Sequence, residues 1–222
     1  MFVMVLATFL LMGASNVSGN ADPARLPLQP GAENVHAYNV GAGIWINPAK
    51  EPIHLAKPGH GGGPGALFAL NYIALGKASS VTLYACAKGG SKMADWAPGG
   101  WLYNRCIAAV GDRQVDGVIF GAGGADATAA SNANQWQSRF ESMVSDLRTR
   151  YGVALPVVML RLGPKPPSGG AYWGTVRKAQ AAVSIPGVLK IETQGKRMAE
   201  DQRHLSVYGY RQFAAEAAGL MP

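Results

Sequence analysis

At 222 residues and 48% hydrophobic composition, the chain is long enough to bury a sizeable core and is read as a single domain spanning 1–222. Its 29 glycines and 14 prolines exclude a helical bundle and, lacking collagen-like spacing, favour an α/β fold with many strand-to-helix turns. The net charge of +7 comes from 20 scattered Lys and Arg, and the densest cluster, GKRMAEDQRH, is interrupted by Glu200 and Asp201; this reads as a solvated basic surface, with no nucleic-acid partner expected.

The first twelve residues, MFVMVLATFLLM, have the length of a signal-peptide core, and SGNADP passes for a small-residue cleavage site, but the positively charged start is missing. The run is too short to span a membrane, and no membrane partner is expected. Read instead as a strand, TFLLMG (8–13) leads straight towards Ser15, with residues 1–7 either a leader remnant or a strand extension. The two readings exclude each other, because cleavage at SGNADP removes Ser15. The compartment stays open with them: secreted or periplasmic if a leader was trimmed, cytoplasmic otherwise.

Residues 22–63 form a long excursion rich in Pro, Gly and Asn, with a short strand expected near HAYN or GIWIN. A helix follows in PGALFALNYIALG (64–76), with Pro64 in its first turn. Strand-length apolar runs then recur at VTLYAC (81–86), GVIFGA (117–122), PVVMLRLG (156–163) and VLKIET (188–193), which with 8–13 make five core strands. Between them lies SNANQWQSRFESMVSDLRTRYG, where Trp136, Phe140, Met143, Val144 and Leu147 share one helical face, capped at Ser131 or Asn132 and stopped by Gly152. AYWGTVRKAQAAV and the terminal SVYGYRQFAAEAAG complete the helices. Alternating strands and helices imply parallel pairing. Cys86 and Cys106 allow one disulfide at most and make no zinc spacing with the four histidines. No metal or cofactor is expected.

In an open parallel sheet, ligands bind beyond the carboxyl ends of the strands, and Ser15 lies two residues past Gly13 at such an end. A serine hydroxyl needs a base, and the base needs an orienting group. EDQRHLSVYG supplies Asp201 three residues before His204, a spacing that brings a carboxylate to one imidazole nitrogen while the other points away. The plainer alternative is that both residues cap the last helix. His36, His54 and His60 sit in loops and read as surface residues.

GASNVSG resembles the Gly-Gln-Ser-Asn-x-x-Gly block of the carbohydrate esterase family that includes sialic-acid-specific acetylesterases and acetylxylan esterases, within the SGNH hydrolase superfamily. YACAKGGSKMADWAPGGWLYNR, GGGPGALFALNYIA and DQRHLSVYGY resemble further blocks of the same family, in the expected order from about residue 8 onwards. The resemblance implies a three-layer αβα sandwich of SGNH, flavodoxin-like type, here with a five-stranded parallel sheet. It also implies a serine esterase that removes an acyl group, foremost acetyl, from a small-molecule or polysaccharide substrate. On that resemblance Ser15 is the nucleophile, His204 the general base and then acid, and Asp201 its orienting group. The oxyanion donors are the backbone N–H groups of Ser15 and Gly90, with Gly89 the weaker candidate. Asn16, Trp96 and Asp126 are assigned to substrate binding, Trp96 as a platform for a sugar face.

The third block of the family usually reads Trp-x-Gln-Gly-Glu-Ser-Asp, whereas this chain has FGAGGADA. Ala122 replaces the Gln expected in the oxyanion hole and Gly124 the Glu, while Gly123 and Asp126 keep their places; Ala14 replaces the Gln before the nucleophile. Losing one oxyanion donor costs about a hundredfold to a thousandfold in rate. Asn132 and Asn134 are candidates to replace it. Two alternatives follow from the loss: a carbohydrate-binding protein on an esterase scaffold, or an esterase whose pocket is widened for non-sugar esters. A nucleotide-binding reading of VIFGAGGADA fails because Asp126 stands where the fingerprint needs its last glycine.

Overall fold

The computed structural model describes residues 5–21, 31–48, 53–54 and 62–222. Its strands are β1 (Leu6–Gly13), β2 (Val35–Asn39), β3 (Ile44–Ile46), β4 (Ser80–Ala85), β5 (Gly117–Gly121), β6 (Val157–Arg161) and β7 (Val188–Glu192), joined in one sheet in the order β3-β2-β4-β1-β5-β6-β7. Every pairing is parallel except that of β2 with β3. The five expected strands are all present, but the sheet has seven. The excursion supplies the other two, HAYN and GIWIN each forming a strand. They escape a count of apolar runs because β2 buries only alternate residues and β3 is a three-residue edge with Ile44 and Trp45 exposed.

β1 sits at the centre of the sheet, buried on both faces, and its side chains alternate between two cores. Phe9 and Leu11 face the layer made by α2 (Pro64–Ala74) and α8 (Val207–Leu220), where the Phe9 ring meets Phe68 and Tyr72 edge-on at 4.9 and 5.0 Å. Leu10 and Met12 face α4 (Trp101–Val110), α6 (Trp136–Tyr151) and α7 (Trp173–Ala182). The expected face of α6 is the buried one, and its Trp136 stacks on Phe140 at 5.2 Å. The stretch read as one helix from Ser131 is two, α5 (Ala130–Asn134) and α6, because Gln135 leaves helical geometry at φ −94°, ψ 0°. α1 (Ser15–Ser18) and α3 (Met93–Trp96) are single turns.

Two residues assigned to substrate binding belong to this interior. Trp96 is fully buried and its indole N–H donates to Ser91 Oγ at 2.9 Å, so it holds a loop in place and offers no ring face to a sugar. Asp126 is also fully buried; its Oδ1 accepts the Met93 N–H at 2.9 Å, tying α3 to the loop after β5, and its Oδ2 has no partner among the described residues. Burial pushes this carboxyl up to about 6, against the opposing pull of the Met93 N–H. Cys86, just past β4, and Cys106, on α4, form a disulfide that ties that helix to the carboxyl end of an interior strand.

Closing a loop across a sequence separation of 20 stabilises by about 3 kcal/mol on the chain-entropy argument. Reduction of Cys86–Cys106 is therefore expected to lower the urea midpoint by a corresponding amount, and an unchanged midpoint would show that the bond constrains nothing. For Asp126, a folded-state pKa raised to about 6 means the stabilisation is complete below the unfolded value and is lost as pH rises through about 6. Between pH 4 and pH 7.5 the wild type should lose about 2 to 3 kcal/mol relative to Asp126→Asn, read from paired urea titrations.

Candidate active site

The central strand ends at Gly13, whose φ is +117°. A Cβ at this position would stand 2.4 Å from the Gly121 carbonyl oxygen, so only glycine lets β1 and β5 approach this closely. The Ala14 N–H then donates to that carbonyl at 2.6 Å, and the chain turns into α1 with Ser15 at its first position. Ser15 thus stands beyond the carboxyl end of β1, between the ends of β4 and β5.

Asp201 and His204 arrive from the turn before α8. The Ala199 N–H donates to the His204 carbonyl at 2.8 Å, and Gln202 takes a left-handed φ of +52°. Asp201 Oδ1 accepts the backbone N–H groups of Arg203 (3.0 Å) and His204 (2.9 Å), which leaves Oδ2 facing His204 Nδ1 at 2.5 Å. The other ring nitrogen, Nε2, is 2.8 Å from Ser15 Oγ. Partial burial pushes the Asp201 carboxyl up, but the His204 backbone N–H, the His204 ring and the Arg203 N–H outweigh it and hold the pKa below the ordinary value. The Asp201 carboxyl is therefore held towards its ionised form beside the imidazole.

Asn16 is bound differently from the way its assignment to substrate implies. Its Oδ1 accepts the Leu205 N–H at 2.9 Å and its Nδ2 donates to the Arg203 carbonyl at 3.2 Å, so both ends of its amide grip the backbone on either side of His204. The Tyr210 hydroxyl donates to the same Oδ1 at 3.4 Å and accepts the Asn20 N–H at 3.1 Å, joining α8 to the nucleophile turn. The signal for this role lay beside Ser15 in the sequence, but the partner backbone is almost the whole chain away.

After β4 the chain is tied to the carbonyl of Gly13, which accepts the Lys88 N–H at 2.9 Å and the Ser91 hydroxyl at 3.2 Å. This brings the two glycines between them alongside Ser15. Gly90 has φ +75° and lines a cavity of about 480 Å³ together with Ser15 and His204, while Gly89 lines a second cavity of about 570 Å³ on the β2 and β4 side of Ser15. The smaller cavity is floored by Ala122, Gly123 and Gly124 and walled by Leu160, Leu162 and Trp173. Ala122 and Gly124 bring no hydrogen-bonding side chain to it. Asn132 and Asn134 do not replace them: both lie on α5 and line neither cavity, and Asn132 Oδ1 accepts from Arg139. Gln180, on α7, has a role the sequence did not announce: it donates to the Ala122 carbonyl at 2.9 Å and accepts the Leu162 N–H at 2.8 Å, bridging the ends of β5 and β6.

Lys88 and Arg105 line the larger cavity and Arg161 and Arg203 the smaller, with no carboxylate in either lining among the described residues. His54, read from the sequence as a surface residue, is instead 6% exposed and lines the larger cavity. Among the described residues there is no cluster of ligating side chains fit to hold a metal ion.

The chain is 25% identical over 222 residues to a probable carbohydrate esterase of Arabidopsis thaliana, covering 89% of this chain and 83% of that protein. The solved structure of an Arabidopsis thaliana protein superposes with a TM-score of 0.79 at 22% identity, covering 98% of this chain and 97% of that one. A carbohydrate acetylesterase from Xanthomonas citri superposes with a TM-score of 0.75 at 19% identity, covering 97% of this chain and 56% of that one. These superpositions agree with the three-layer α/β fold expected of SGNH hydrolases. The model of one family, described as carbohydrate esterase, sialic acid-specific acetylesterase, matches residues 5–221. With nearly its whole length matched, the chain belongs to that carbohydrate esterase family.

Proposed function

We propose that the protein is a serine esterase that hydrolyses O-acetyl esters of carbohydrates through an acyl-enzyme on Ser15. Family membership supports acetyl ester hydrolysis in general. The finer reading rests on one observation, the continuous contact from Ser15 Oγ to His204 Nε2 and from His204 Nδ1 to Asp201 Oδ2.

In this mechanism Ser15 Oγ attacks the ester carbonyl as His204 Nε2 takes the hydroxyl proton. Asp201 holds the Nδ1–H tautomer and stabilises the imidazolium that forms. The tetrahedral oxyanion is met by the N–H groups of Ser15 and Gly90. It collapses by breaking the bond to the alcohol oxygen, which leaves with the proton carried by His204. Water then attacks the acyl-enzyme with the same imidazole as base, releasing the acid and regenerating Ser15.

Ala122 removes the side-chain donor that the family pattern supplies to the oxyanion, a loss of about a hundredfold to a thousandfold on mutational precedent. The remaining backbone donors and the His204 base still account for turnover, at a reduced rate. The same missing side chains favour a second reading, in which the scaffold binds carbohydrate and turns it over poorly. They also leave the smaller cavity lined by Leu160, Leu162 and Trp173, which suits an acyl chain longer than acetyl.

Steady-state hydrolysis of p-nitrophenyl acetate and butyrate separates these readings. Ser15→Ala and His204→Ala are each expected to lower kcat/KM by at least about a thousandfold. A wild type no faster than Ser15→Ala overturns the esterase reading in favour of the binding protein, and a clear preference for butyrate favours the widened pocket. Asn16 acts through His204, so Asn16→Ala should lower kcat by roughly ten- to a hundredfold with a much smaller change in KM. An equal loss in KM, or none in kcat, would return Asn16 to substrate binding.

A further inference from the structure

The larger cavity beside Ser15 carries positive charge that the hydrolytic mechanism leaves unused. Lys88 and Arg105 both line it and both are exposed, so they stand where it opens to solvent. The place of each charged end is marked by a neighbour. Arg105 Nη2 donates to the Gly41 carbonyl at 2.6 Å, which sets the guanidinium against the turn between β2 and β3, another part of the same lining. Lys88 Nζ lies over the Trp101 ring, 5.8 Å from its centroid. Trp101 and Arg105 are four residues apart on α4 and therefore neighbours on its surface, so the two cations flank one stretch of the rim. Gly89, the residue after Lys88, runs alongside the nucleophile, since a Cβ added there would stand 3.9 Å from Ser15 Cβ.

Neither charge is neutralised. Among the described residues no carboxylate forms an ion pair with Lys88 or Arg105. Asp95, bound to Trp101, spends Oδ1 on the indole N–H at 3.0 Å and Oδ2 on the Lys92 N–H at 2.8 Å. Asp201 is committed to His204, and Glu192 offsets Arg161 of the smaller cavity. The bond to Gly41 uses only one of the five guanidinium N–H donors of Arg105. Two like charges on one rim repel each other, and an anion held between them relieves that repulsion. Their field extends roughly 8 Å at physiological ionic strength, and a low-dielectric cleft focuses it. The attraction therefore acts on a substrate beside Ser15 without either side chain having to point into the cavity.

Ser15 borders both cavities, and their linings assign the two halves of an ester. The smaller holds Gly90 and the apolar walls of Leu160, Leu162 and Trp173, which suit the acyl group, and the larger is left to the alcohol. We propose that Lys88 and Arg105 select esters whose alcohol part is anionic, with the carboxylate of an acidic sugar held at the rim of the larger cavity. This rests on the ester-hydrolase reading and narrows its substrate class. The planar fork of Arg105 matches a carboxylate, while Lys88 supplies a point charge.

The test compares acetate release from a mono-O-acetylated methyl galacturonoside and from the corresponding uronamide, which replaces the carboxylate by a neutral group of the same shape. Wild-type kcat/KM is expected to favour the uronate by at least about tenfold, and the preference should shrink as ionic strength rises. Lys88→Gln and Arg105→Gln should each reduce that preference by about threefold or more, mainly through KM, whereas Lys88→Arg should retain it. Equal rates on the two esters in the wild type overturn the proposal, and so does a preference that survives both Gln substitutions combined. Binding is read separately, by NMR titration of the acetylated uronate into Ser15→Ala, where affinity should fall with added salt and with Lys88→Gln. No binding, or binding indifferent to both, overturns the proposal even if the wild type cleaves the ester. Charge-dependent binding without any Ser15-dependent turnover would instead sink the esterase reading and leave this one standing.

Discussion

Where β1 leaves the sheet, its backbone passes so close to that of β5 that neither Gly13 nor the Ala14 amide has room for any other arrangement: a side chain at Gly13 would collide with the Gly121 carbonyl, and the Ala14 N–H is already bonded to it. This contact decides where Ser15 stands. The free direction beyond it is the crevice at the carboxyl ends of the strands, and the Gly13 carbonyl, by accepting from Lys88 and Ser91, draws the Gly89–Gly90 turn to the same point. Nucleophile and candidate oxyanion donor are thus placed by one stretch of backbone, without relying on long side chains whose ordering costs entropy.

The base comes from the far end of the chain, and its placement depends on a different device. Asp201 is oriented locally, by accepting N–H groups two and three residues ahead of it. The whole turn is then clamped to the nucleophile by the Asn16 amide, which bonds on both sides of His204. A side chain adjacent to Ser15 therefore holds the base, so displacement of one displaces the other. Geometry that must hold within a fraction of an ångström is served by such direct coupling.

Around this frame the two cavities differ in kind. One is floored by Ala122 and Gly124 and walled by Leu160, Leu162 and Trp173, and it has lost the polar side chains of the family's third block. The other is lined by Lys88, Arg105 and the buried His54. The charged side chains Lys88 and Arg105 stand on the wall at the β2 and β4 side of Ser15. The disulfide from Cys86 to Cys106 ties together two elements of that wall, since Cys86, Leu102 and Arg105 all line the cavity.

The amino-acid sequence by itself determined the five parallel strands and the apolar face of α6, because each is written in local spacing, continuous apolar runs and a helical repeat, while the three-residue spacing of Asp201 and His204 left their pairing open against a capping role. Strands β2 and β3 were only half legible, since a short alternating segment and an exposed edge bury too little to mark themselves. Trp96 and Asp126 read as ligand contacts because residue type alone does not say which way a side chain faces, and the packing of α3 against the loop after β5 turned both inward. The same limit hid the clamp by Asn16 and the bridge by Gln180, whose partners are backbone groups remote in sequence. Only the tertiary structure decided that His54 is buried against the cavity, because that depends on Ile53 entering the core and Asn39 holding its carbonyl, contacts made between segments that no local pattern connects.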